Sequence, residues 1–203
     1  KSGNPEKQRS SCVVIGIFDN RRLSNAATQV DRASDGYISA IIRRGDLEGK
    51  SGQTLILHNV PNMLCDRVML IGCGKERDFD DNAYTKALSS AINCINNSGI
   101  TEASIYLADL SVKGRQISWK IAQAVQAFET GLYRFDQLKS NQEAVRRPLK
   151  KVVFNVPSRR ELPVGERAIS NGLAIGRGMN FCRDLGNLPG NMCTPDYLAE
   201  QAK

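Results

Sequence analysis

Five short runs rich in β-branched and other apolar residues set the terms for this chain. They are Cys12–Phe18, Thr54–His58, Arg67–Gly72, 103–108 and 151–156. Each is bounded by Gly, Pro, Asn, Asp or charged residues, as strands are. Between them lie segments whose apolar residues recur at three-and-four spacing, the period of a helix with one buried face. Ala83, Ala87, Leu88, Ala91, Ile92 and Ile95 form one stripe. Asp80 and Asp81 favour its start, and Asn96, Asn97 and Gly99 stop it. Ile117, Ile121, Val125, Phe128 and Leu132 form a second stripe. Residues 23–44 read as a helix interrupted near Gly36. Residues 166–185 read as a longer helix with apolar or small residues on most faces from Gly172 to Cys182, a pattern that predicts burial on most sides. Strands alternating with helices predict an α/β fold, a three-layer sandwich around a mostly parallel or mixed sheet.

A chain of 203 residues holds one domain, or one domain and the start of another. It is long enough for a core of ordinary size. Hydrophobic residues make up 41% and charged residues 24%, which excludes a fibrous repeat and a wholly disordered chain. The longest apolar run has seven residues, too few for a transmembrane helix. No basic start leads into an apolar stretch, so no secretory signal is expected. The six cysteines include no closely spaced pair and the only histidine is His58, so neither a zinc site nor a disulfide framework is indicated. The expectation is a reduced, cytoplasmic protein with no membrane segment.

The net charge of +7 is localised. Residues 134–160 carry eight basic side chains against Asp136 and Glu143. Arg146, Arg147, Lys150 and Lys151 lie within six residues with no acid among them, which makes them candidate phosphate contacts for DNA. The plainer reading is a solvated loop. Gly72-Cys73-Gly74-Lys75 follows a strand, but Arg77 stands where a dinucleotide fingerprint has its third glycine. The run therefore reads as a tight strand-to-helix turn. Gly172, Gly176 and Gly178 read as close helix packing, Trp119 as core, and His58 as structural or exposed. Asp184, Asp196 and Glu200 have no matched partner in the sequence. Thr194 suits an N-cap, Pro195 the first helical position and Asp196 the first turn of a helix. The helix they begin has lost its packing partner and is expected to be poorly ordered or wrongly docked.

Two segments resemble the leucyl aminopeptidase (cytosol aminopeptidase) family. Leu47-Glu48-Gly49-Lys50-Ser51-Gly52-Gln53-Thr54-Leu55, continuing to Arg67-Val68-Met69-Leu70-Ile71-Gly72-Cys73-Gly74-Lys75, is similar to its Gly-Lys turn, strand, link and strand ending in Gly-x-Gly-Lys. The segment from Arg183-Asp184-Leu185-Gly186-Asn187 through Pro189-Gly190-Asn191 to Thr194-Pro195 resembles the run that leads into the family's catalytic domain. Gly190 stands where the family often has a second proline. Tyr133-Arg134-Phe135-Asp136 with Lys139-Ser140 also looks like a family run. The resemblance implies a small, macro-domain-like N-terminal domain over residues 1–188. Residues 189–203 would be a linker and the first turns of a helix leading into a separate catalytic domain.

The parent it implies is a homohexameric enzyme that uses two divalent metal ions, Mn or Zn, to remove N-terminal amino acids from peptides. The motifs that hold metals and do chemistry there do not occur here, so no catalytic or metal residue is carried over. The implied role is assembly and access to the active site. The alternatives are a nucleotide-binding macro-like module and a nucleic-acid-binding surface, since some bacterial relatives also bind DNA.

Overall fold

A computed structural model describes residues 1–139 and 148–202. Six strands form one sheet: β1 (Cys12–Phe18), β2 (Arg22–Leu23), β3 (Thr54–His58), β4 (Arg67–Gly72), β5 (Glu102–Ile105) and β6 (Lys151–Phe154). Their order is β3-β4-β1-β5-β6, with β2 paired to β1. The four strands from β4 to β6 run parallel, while β3 and β2 are antiparallel to their neighbours. The expected mostly parallel, mixed sheet is what forms.

Period-two alternation sorts the side chains into two cores. Val13, Ile15 and Ile17 of β1 and Val68 and Leu70 of β4 face α1 (Asn25–Ala33) and α2 (Tyr37–Arg44). Cys12, Val14, Phe18, Met69 and Ile71 face α3 (Asp81–Ser98) and α4 (Ile117–Gly131). Every residue of β1 is buried, as a parallel strand covered on both faces must be. Gly36, at φ +81°, breaks the residue 23–44 segment into α1 and α2, because left-handed backbone at that point suits glycine. Asp80 caps α3 by accepting from the Ala83 amide at 2.9 Å, and Gly99 ends it at φ +64°.

Three expectations are corrected. The fifth strand stops at Ile105 rather than residue 108, because the chain turns into a 3-10 segment over Leu107–Asp109. Residues 159–165, whose Pro163 and charged residues read in the sequence as a linker into the last helix, form instead a 3-10 turn, Arg159–Glu161, closed by a Ser158/Glu161 capping box, with Pro163 already in the first turn of α5 (Leu162–Asn187). Nor is α5 buried on most sides. Its buried residues are Gly165, Ala168, Gly172 and Gly176, while Ile175 is 50% exposed and Met179 44%. The small residues form one stripe at helical spacing, so α4 approaches closely along that line, with Leu162, Ile169 and Leu173 half-buried beside it.

Gly172 fixes the distance of approach: a Cβ there would stand 2.8 Å from the Ala122 carbonyl oxygen. α5 thus adds a helix outside the α4 layer. After it, α6 (Pro195–Gln201) is a capped single element in which no residue is buried.

Candidate functional site

The glycine turn after β4 is built from backbone. The Cys73 amide donates to Ile17 O and the Gly74 amide to Gly49 O, both at 2.8 Å. Gly72 sits so close to the Gly-Lys turn that a Cβ on it would meet Lys50 O at 2.1 Å, and one on Gly49 would meet Phe18 O at 2.2 Å. The two glycine segments that carry the family resemblance therefore interlock at the carboxyl ends of β1 and β4. Their amides are spent on each other rather than presented to a phosphate, which agrees with the structural-turn reading.

The basic run is divided by the fold. Lys150 and Lys151 are exposed at the amino end of β6, where both amides donate to Thr101 O. Lys151 Nζ lies 3.5 Å from Glu102. Arg159 and Arg160 are exposed beyond the other end of the strand. Lys139 pairs with Asp136 at 3.1 Å. Arg146 and Arg147 lie outside the described residues. Among the described residues the run is therefore split between the two ends of β6, with Lys150 and Lys151 at one and Arg159 and Arg160 beyond the other.

Asp184 has the partner that the sequence did not reveal. It accepts from the Tyr133 hydroxyl at 2.7 Å, and Asn187 donates to that same hydroxyl oxygen at 3.1 Å. Desolvation, with the hydrogen bond to Asp184, pushes the Tyr133 phenol above its ordinary value. Arg183 stacks 5.5 Å over the Tyr133 ring and donates to Thr130 O at 2.9 Å. Asn180 donates to Glu129 O at 3.0 Å. The Arg-Asp-x-x-Asn run of the second family segment therefore clasps the end of α4 to α5. The signal was present, since Tyr133 lies in the third resembling run, but nothing in the sequence joins positions 51 residues apart.

His58 is exposed at the end of β3. Trp119 is half-buried against Tyr84, with Arg115 4.7 Å over its ring. Among the described residues, no group of three His, Cys, Asp or Glu is placed to hold a metal ion. Burial pushes the Cys12 and Cys73 thiols up to about 12 and Cys65 to about 11, which keeps them protonated and unsuited to ligate one. No helix among them is long and apolar enough to cross a membrane. Two open cavities are the main concavities. One is apolar, between α4, α5 and β6, and the other polar, beside α1 at the carboxyl ends of β5 and β6.

Comparison with known proteins places this architecture. The model of the cytosol aminopeptidase family, N-terminal domain, matches residues 14–142. The probable cytosol aminopeptidase of Colwellia psychrerythraea is 58% identical over 203 residues, covering 100% of this chain and 40% of that protein. That of Idiomarina loihiensis is 56% identical with the same coverage. The chain thus spans about two-fifths of the length of these curated relatives. Among solved structures, a mutant tomato leucine aminopeptidase superposes with a TM-score of 0.73 at 21% identity, over 100% of this chain and 40% of its own. The bottromycin maturation enzyme BotP in complex with Mn superposes with a TM-score of 0.67 at 19% identity, over 95% of this chain and 35% of its own. These last two show a shared fold. The family-model match across residues 14–142, with identity of 56–58% to these relatives along the whole chain, shows that the chain belongs to the cytosol aminopeptidase family and carries its N-terminal domain.

Proposed function

We propose that this chain is the non-catalytic N-terminal domain of a cytoplasmic, metal-dependent leucyl aminopeptidase that removes N-terminal amino acids from peptides as a homohexamer. The observation that carries the reading is identity of 56–58% along the whole chain to proteins more than twice its length. Two divalent ions, Mn or Zn, would supply the hydrolytic chemistry by activating water and polarising the scissile carbonyl. The side chains described here do not fit that pair: no three His, Cys, Asp or Glu among them are grouped to hold a metal, burial pushes the Cys12, Cys65 and Cys73 thiols up, and His58 is the single histidine of the sequence. No step of the reaction is routed through this chain. Its role is assembly and access, with residues 1–188 as the folded unit and 189–203 as the lead into the catalytic domain. The exposed Val164, Ile175, Met179 and Phe181 of α5 supply an apolar surface for that partner.

The test is hydrolysis of a leucyl chromogenic amide with Mn or Zn added. The expected result is no turnover by the 203-residue chain and turnover by the full-length protein. Activity that tracks the purified chain would overturn the assignment.

A second reading is sequence-independent DNA binding through Arg146, Arg147, Lys150 and Lys151. It is favoured by Lys150, which is exposed and in no ion pair among the described residues. Each phosphate neutralised on duplex DNA contributes a log–log salt slope of about −0.9. Lys151 is engaged by Glu102, so the expected slope is shallower than four contacts would give. A mobility shift at low salt, lost when all four residues are changed to Ser, supports this reading. An unchanged shift in that variant refutes it.

A further inference from the structure

The polar cavity beside α1 has a volume of about 620 Å³, within the usual range for small-molecule sites. Its position follows from the winding of the sheet. The connection leaving β1 crosses the α1/α2 face, whereas those leaving β4 and β5 cross the α3/α4 face. β1 and β5 are neighbours, so the winding reverses between them, and ligands of open α/β sheets bind outside the strand ends at such a reversal. The cavity walls include Asn25 and Arg32 of α1, Tyr106 and Asp109 after β5, and Asn155 and Arg159 after β6.

Three observations show what would fit. Arg32 and Arg159 are exposed and form no ion pair among the described residues, so two cations are available to an anion. Asn155 is 2% exposed and its Oδ1 has no hydrogen-bond partner. A buried acceptor left without a partner is costly, so a donor from a ligand is favoured there. Its Nδ2 donates to Val153 O at 3.5 Å, at the limit of such a contact, so little hydrogen bonding fixes the amide's present orientation. Asp109 is a second acceptor, half-buried against Asn25 and the Ala26 amide at the start of α1. Because Ser24 and Asp109 already serve the first α1 amides, the anion's place is at the arginines rather than at the helix end.

We propose that this cavity binds a phosphorylated sugar or nucleoside, with the phosphate on Arg32 and Arg159 and sugar hydroxyls donating to Asn155 Oδ1 and Asp109. Two cations and two acceptors on the wall of one cavity match a molecule that carries both an anionic group and hydroxyl donors. The glycine turn after β4 takes no part in this site.

Calorimetric titration of the full-length protein with ribose 5-phosphate, AMP, ribose, adenosine and inorganic phosphate tests this. At least one sugar phosphate is expected to bind, with ribose, adenosine and phosphate weaker by about tenfold or more. Tighter binding of AMP assigns a nucleotide, and tighter binding of ribose 5-phosphate assigns a free sugar phosphate. Either supports the site. Asn155→Leu and Arg159→Ser should each weaken binding by about tenfold. Asn155→Leu should not lower the thermal midpoint, because it removes a buried acceptor that lacks a partner and only a donor bond at the limit of such contacts. The proposal fails if neither sugar phosphate binds at millimolar concentration, or if inorganic phosphate binds as tightly. It also fails if both variants keep full affinity, or if Asn155→Leu loses stability as a structural asparagine would.

Discussion

At the scale of single residues, the α5 glycines separate two effects that sequence alone merges. Gly172 faces α4, where an added Cβ would stand 2.8 Å from both Ala122 O and Val125 Cβ. The carbonyl belongs to a helix backbone and cannot step aside, so Gly172→Ala is expected to destabilise by about 1–3 kcal/mol. Gly178, six residues on, has nothing within 4 Å of the same position. There Ala should stabilise by about 0.5–1 kcal/mol through helix propensity. Denaturant midpoints of the two variants check both signs.

The buried thiols give a pH dependence. Cys12, Cys65 and Cys73 hold their protons to about 12, 11 and 12 when folded, against 9.0 for a free thiol. Above pH 9 the unfolded chain therefore binds fewer protons than the native one, so stability falls as pH rises from there towards 11–12. Each thiol contributes a loss of about 1.4 kcal/mol per pH unit in that window. Unfolding by urea at pH 8 and pH 10 should show the drop, and Cys73→Ala should flatten it. The Asn155 and Tyr133 interactions belong to this scale too, but only the folded chain reveals them.

The elements differ in how much of them the local pattern defines. β1, β3 and β4 form at the expected residues because their alternation records burial on a sheet, and α3 and α4 follow their stripes for the same reason at the helical period. β2, two residues long, is too short to carry any period. α5 deceives because glycine and alanine read as apolar on every side, whereas burial of a small residue depends on which neighbour comes close. α6 shows a sound start without an anchor: Thr194 accepts from the Tyr197 amide at 3.3 Å, yet no residue of the helix is buried. Amides of 197–201 in this chain should exchange with solvent far faster than those of β1, by about a hundredfold or more, since opening them exposes no core. Protection equal to β1 would show that α6 packs as part of this domain.

At the scale of the whole molecule, the α5 surface separates folding from assembly. Ile175 and Met179, one turn apart, are 50% and 44% exposed. Changing both to Lys should alter the stability of this chain by no more than about 0.5 kcal/mol per site. The same change in the full-length protein should impair assembly, seen by gel filtration, if this surface docks the catalytic domain.

The sequence by itself determined most of the strand and helix segments, the α/β class, the glycine turns and the family. Each of these is written in residues close together along the chain, as a period, a cap or a contiguous motif. Only the tertiary structure decided which line of α5 is buried, that Tyr133 meets Asp184, that the basic run is split across β6, and that Asn25, Asp109, Asn155 and Arg159 wall one cavity. Those facts depend on contacts between residues tens of positions apart, whose meeting is set by the sheet order and helix packing and leaves no local trace in the sequence.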